Sequence, residues 1–154
     1  MLTRFLADGT LVVIIIVAAI MVLNYMRSSP KQFFRLLPQL IMAGLTSLLV
    51  GKIMSLLYQP SVERPFIERG VAAGAAYIDN PGFPSDHALL AVVIVAAVWF
   101  ITRNKRVAIL LSFTVIVMCV ARVVALVHTP IDIIGGIIAG LSGSIWYQKI
   151  KTQS

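Results

Sequence analysis

Five stretches of apolar residues dominate this chain, each nearly free of charge and each close to the length that crosses a hydrocarbon core of about 30 Å. They run from about Thr10 to Met26, Phe34 to Tyr58, His87 to Thr102, Val107 to Val127 and Ile131 to Tyr147. Backbone in lipid must satisfy its own polar groups, which a helix does within one segment. Only 12% of the 154 residues are charged and the mean hydropathy is +0.95, whereas a soluble domain carries about 25% charge. The expected fold is therefore all-α: an integral membrane helical bundle with about five transmembrane helices, forming one domain over residues 1–154. Arg4 before the first run resembles a signal-peptide flank. No small-x-small site precedes a polar mature start, however, so that run reads as an anchor.

The net charge of +7 does not point to nucleic acid, because the basic residues sit in short loops between apolar runs. Arg27, Lys31 and Arg35 form one group, Arg103, Lys105 and Arg106 a second, and Lys149 and Lys151 a third. With five spans all three fall on one side, which the positive-inside rule makes the cytoplasm. The segment from Gln59 to Asp86 and the link from Val127 to Pro130 then lie outside. A single cysteine, Cys119, excludes an internal disulfide, and no zinc or iron ligand cluster is visible.

The remaining polar residues gather toward the outer ends of the runs. Lys52 and Arg122 each lie roughly 9 Å below the outer boundary at 1.5 Å per residue. Ionisable groups at such depth are costly and mark function. The plain alternative is snorkelling of a long side chain to the interface. Ser85, after Pro84, is a strong N-cap for the third helix, whose free first-turn N–H groups suit an anion. Thr129, Pro130 and Asp132 have the pattern of a capping box. Asp132 also shares a helix face with Gly136, Gly140 and Gly143, a stripe of small residues that marks close helix packing. That face turns Asp132 inward, with His128 one turn back as its natural partner.

Arg122-x5-His128-x3-Asp132, with Phe83-Pro-Ser-Asp-His87 and Arg64-Pro65-Phe66, resembles the type-2 phosphatidic acid phosphatase superfamily over roughly 51–136. Ala121 stands where that family usually has Ser, and Asp86 where it usually has Gly. Pro-Ser-Asp-His is similar to the bacterial undecaprenyl diphosphate phosphatase branch. Eleven residues separate Lys52 from Arg64, more than the family's usual six. Gln59-Pro60 stands at the usual spacing, and Arg64 is preferred because Gln59 carries no charge.

The resemblance implies a phosphoryl-transfer site that needs no metal or other cofactor. Lys52, Arg64 and Arg122 would supply cations, and Ser85 with the backbone N–H groups of Asp86 and His87 would complete the phosphate cradle. His128 would be the nucleophile, held by Asp132, and His87 the general acid and base. A carboxylate at the mouth of an anion site repels substrate. Asp86 would then pair with Arg64 or meet a counter-ion of the substrate. The implied partner is a lipid phosphate reached from the outer leaflet, foremost undecaprenyl diphosphate at a bacterial plasma membrane. Phosphatidic acid, phosphatidylglycerophosphate and lipid A are the alternative substrates, and a non-catalytic lipid-phosphate binder is the alternative class.

Overall fold

The computed structural model describes residues 1–58, 64–80 and 82–148. Gln59, Pro60, Lys149 and Lys151, on which sequence expectations fall, lie outside the described residues.

The long apolar helices are α1 (Leu2–Ser28), α2 (Pro30–Leu57), α4 (Asp86–Thr102), α5 (Lys105–Val124) and α6 (Pro130–Gln148), with a short α3 (Pro65–Glu68) in the segment between α2 and α4. Four are long and apolar enough to cross a membrane, and α4 is a shorter apolar helix of about 25 Å. The side chains exposed along these helices are themselves apolar: Leu48, Leu49, Leu110, Phe113, Ile116, Ile134 and Ile138 are each more than half exposed. A bundle dissolved in water would hide such residues, whereas one dissolved in lipid presents them to its solvent. The expected all-α membrane bundle is what forms.

Helix ends follow local chemistry. Pro30 opens α2 at the first helical position, where its missing N–H costs nothing. Ser85 caps α4, its hydroxyl accepting from Ala88 N–H at 3.5 Å, and Asn104 caps α5, accepting from Val107 N–H at 3.2 Å. At α6 the capping box is complete: Asp132 N–H donates to Thr129 Oγ1 at 3.3 Å, and Thr129 N–H donates to Asp132 Oδ2 at 2.7 Å. In α1 the helix begins at Leu2 rather than near Thr10, and a π-helical turn over Phe5–Gly9 precedes its regular part. The extra residue in that turn re-phases the helix, so a 3.6-residue period read from Thr10 onward does not extend back to it.

The central helix is α4, against which the other four spans pack. Its alanines make that possible: Ala88 and Ala91 are fully buried, and Ala96 and Ala97 nearly so. The glycine stripe of α6 closes the tightest approaches. A methyl group at Gly136 would strike the Ser85 carbonyl and Ala88, and one at Gly140 would meet the Leu89 carbonyl at 2.8 Å. One at Gly143 would strike the Ala43 carbonyl of α2. The buried Ser47 hydroxyl ties α2 to α6, donating to Gly140 C=O at 3.0 Å and accepting from Gly143 N–H at 3.2 Å. Interhelical hydrogen bonds of this kind contribute about 0.6 kcal/mol each in a membrane bundle.

At the end of the bundle away from the loop of Arg103, Lys105 and Arg106, the segment between α2 and α4 folds over the helix ends. Phe66 N–H donates to Leu126 C=O at 3.1 Å, Gly74 N–H to Ala125 C=O at 3.1 Å, and Ser85 N–H to Asp132 C=O at 2.9 Å. Gly74 has no room for a side chain, since a Cβ would sit 2.9 Å from the Ala125 carbonyl oxygen. Ala7, Phe66, Ala75, Ala121, Ala125 and Val127 pack into a small apolar cluster at this end. These ties hold a polar cavity against the ends of α4 and α5.

Candidate active site

The cavity holds about 110 Å³ and is lined by Arg64, Ala76, Tyr77, Ile78, Asp86, His87, Arg122 and His128. Water's share of liquid volume is about 30 Å³, so the space suits a group the size of one phosphoryl and not a whole lipid headgroup with its chain. Larger hollows lie elsewhere on the molecule: one of about 860 Å³ beside the start of α1 and an apolar one of about 400 Å³ among α4, α5 and α6. Neither contains the paired histidines.

Arg122, in the last turn of α5, is 1% exposed. Its Nη1 donates to Asp8 Oδ1 at 2.8 Å and its Nη2 to the Ala76 carbonyl at 2.9 Å. Its buried Nε has no hydrogen-bond partner among the described residues. A buried donor left unpaired is costly, by about 1–3 kcal/mol for a neutral group and more for a charged one. A fixed guanidinium with a spare N–H at the wall of a phosphate-sized cavity is suited to an anion.

His128 lies in the link between α5 and α6, 4% exposed. Its Nδ1 stands 3.4 Å from Asp132 Oδ2, within ion-pair reach, but the buried nitrogen makes no aligned hydrogen bond. Burial pulls the His128 imidazole below its ordinary range, Asp132 opposes this, and the charges of Arg122 and Arg64 add to the lowering. These influences on balance favour the neutral ring, the form that can attack. The two readings of Asp132 hold together, since one carboxylate closes the α6 cap and addresses His128.

His87, in the first turn of α4, is half-buried and lines the cavity. Asp86 beside it is exposed. Among the described residues it forms no direct ion pair with Arg64. Its charge acts on the Arg64 guanidinium only at longer range, opposing the lowering that burial imposes there.

Three expected phosphate contacts fall differently. Arg64 lines the cavity, but its guanidinium donates to the carbonyls of Val127 at 2.6 Å and Ile78 at 2.8 Å and to Asn80 Oδ1 at 2.6 Å, and it lies 5.4 Å from the Tyr77 ring centre. It staples the outer loop shut as well as charging the cavity. Ser85 is fully buried, its hydroxyl spent on the helix cap, and it does not line the cavity. Lys52 is exposed and also absent from the lining. The residue before it, Gly51, takes the inward position against Leu89, and the next position of a helix lies about 100° further round.

One residue at this site escaped the sequence reading. Asp8, on α1, binds Arg122 and accepts the Ala76 N–H on Oδ2 at 2.9 Å, and its Oδ1 stands 3.9 Å from His87 Nε2. The signal available was charge balance: a lone carboxylate at the outer end of a span, level with a buried arginine.

Neither curated proteins nor solved structures gave a significant match to the chain. The family model described as the PAP2 superfamily matches residues 13–153. The resemblance carried by the Arg122, His128 and Asp132 spacing is thereby established at the level of the family: the chain belongs to the PAP2 superfamily, whose members are phosphatases acting on lipid phosphates.

Proposed function

We propose that this membrane protein hydrolyses a polyprenyl diphosphate, foremost undecaprenyl diphosphate, at the outer face of a bacterial plasma membrane, through a phosphohistidine on His128 and without a metal. The observation that carries the reading is the buried Arg122 guanidinium, with Nε unpartnered, beside two histidines in one phosphate-sized cavity. Binding alone needs only the cation; paired histidines and Asp132 behind one of them are the apparatus of transfer.

In the first step His128 attacks phosphorus through the ring nitrogen not turned to Asp132. A P–N bond forms, the bond to the leaving oxygen breaks, and that oxygen keeps the electron pair and takes the His87 proton. In the second step neutral His87 removes a proton from water as its oxygen bonds to phosphorus. The P–N bond breaks, its electrons return to His128, and inorganic phosphate leaves. Arg122 and Arg64 stabilise the charge spread over the equatorial oxygens.

The outward assignment follows from the positive groups at Arg27, Lys31 and Arg35 and at Arg103, Lys105 and Arg106. The diphosphate assignment follows from Pro-Ser-Asp-His and that topology. Phosphate release should be assayed in detergent across undecaprenyl diphosphate, phosphatidic acid, phosphatidylglycerophosphate and lipid A, with saturating EDTA throughout. The diphosphate should be turned over fastest and EDTA should not matter. Preference for a glycerolipid, or loss of activity restored by magnesium, overturns the assignment.

A further inference from the structure

We propose that Asp8 is the partner of His87 in the two proton transfers, a positioning carboxylate on the first span that forms a second histidine–aspartate pair beside His128 and Asp132. The inference rests on the phosphatase reading above, and it concerns a residue that precedes the family match.

One oxygen of Asp8, Oδ1, lies 2.8 Å from Arg122 Nη1 and 3.9 Å from His87 Nε2. The other, Oδ2, accepts the Ala76 N–H, while the Ala76 carbonyl accepts from Arg122 Nη2. The carboxylate is thus fixed by two elements and left facing a third. The π-helical turn over Phe5–Gly9 sets that position, bringing Ala7 to full burial with Asp8 beside it. Single π turns recur at functional sites.

A counter-ion for Arg122 alone would not need to stand between arginine and histidine. A carboxylate beside an anion site weakens substrate binding by repulsion, so its presence there requires a compensating task. His87 must carry a proton in the first step and regain one in the second. The titratable groups that line the cavity with it are the cations Arg122 and Arg64, His128, Tyr77 and the exposed Asp86. Asp8 places a negative charge 3.9 Å from His87 Nε2 among those cations. The arrangement parallels that of Asp132 and His128, at 3.9 Å against 3.4 Å.

The chain has two histidines, so in a His128→Ala background a ¹⁵N-histidine label reports His87 alone, whether or not the protein turns over substrate. Asp8→Asn should lower the His87 titration midpoint by about one unit or more, and Asp8→Glu should hold it. In the otherwise native chain, Asp8→Asn should lower kcat on a lipid phosphate monoester about tenfold to a hundredfold, leave KM unchanged or modestly lowered as the repulsion is relieved, and move the alkaline limb of kcat to lower pH. Asp8→Glu should recover most of the turnover. An unchanged midpoint in Asp8→Asn overturns the pairing. So does a lowered KM with kcat kept, which would make Asp8 a plug in the anion site, and so does equal loss in both variants, which would make it a packing residue. A native chain that releases no phosphate from any lipid refutes the phosphatase reading instead, while the label still decides the pair.

Discussion

His128 and Asp132 face each other across the start of α6, Nδ1 to Oδ2 at 3.4 Å, while that same oxygen accepts the Thr129 N–H at 2.7 Å. Orientation of the nucleophile is thereby built into a helix cap, and the two roles can be separated. Asp132→Asn keeps an oxygen for the cap and loses the charge. Thermal unfolding in detergent should barely change, while kcat/KM should fall about a hundredfold to ten-thousandfold. Asp132→Ala should lose in addition about 1 kcal/mol of stability with the cap. Native activity in Asp132→Asn would reduce Asp132 to a cap.

The pH profile follows from burial of His128. Its ring is held below the ordinary histidine range, so the neutral nucleophile persists as pH falls through 6.5. The acid limb of kcat/KM should therefore lie below that value. Because Asp132 opposes the lowering, Asp132→Asn should move the limb further toward acid with the same substrate. A shift toward neutral pH would show that another group titrates.

Arg64 and Lys52 separate on the same assay. Arg64→Lys cannot reproduce the fork that reaches Val127, Ile78 and Asn80. It should cost about 1.5–3 kcal/mol, the worth of one charge-assisted hydrogen bond, and at least about tenfold in activity if the cavity charge is misplaced. Lys52→Ala, on an exposed side chain outside the cavity lining, should change activity by less than about twofold. The reverse ranking would mean that Lys52 reaches the phosphate in the working enzyme.

The α6 stripe gives a packing test. Gly143→Ala must push against the Ala43 carbonyl and the Ser47 hydroxyl, whereas Gly44→Ala meets nothing within 4 Å. The first should destabilise by about 1–3 kcal/mol, and the second should be neutral or slightly stabilising. Equal unfolding temperatures would contradict the close α2–α6 contact.

The helices, the glycine stripe and the α6 capping box were legible because each is a periodic or short-range pattern, carried by neighbours in sequence. The Arg122, His128 and Asp132 cluster was legible for the same reason, spanning one helix end and the next helix start. Which face of a helix a residue takes was not legible in this way. Lys52 was read as a phosphate contact, whereas its side chain is exposed outside the cavity lining and Gly51 takes the inward face. Arg64 was expected to grip phosphate; it lines the cavity and is also bonded to carbonyls of the loop it closes, partners far from it in sequence. Asp8 was missed because its partner lies 114 residues away and because the π turn breaks the period that would have assigned it a face.

The central claim is covalent transfer to His128, and trapping the intermediate tests it most directly. A polyprenyl diphosphate leaves as a lipid monophosphate anion, a good leaving group, so the first step should survive loss of the acid His87 while the second, which needs His87 to activate water, should slow. The measurement is mass-spectrometric detection of acid-labile, base-stable phosphate after rapid mixing of His87→Ala with ³²P-labelled undecaprenyl diphosphate. The account expects the label to accumulate on His128 and to be absent when His128→Ala is added. No label in His87→Ala, together with turnover retained in His128→Ala alone, would contradict it.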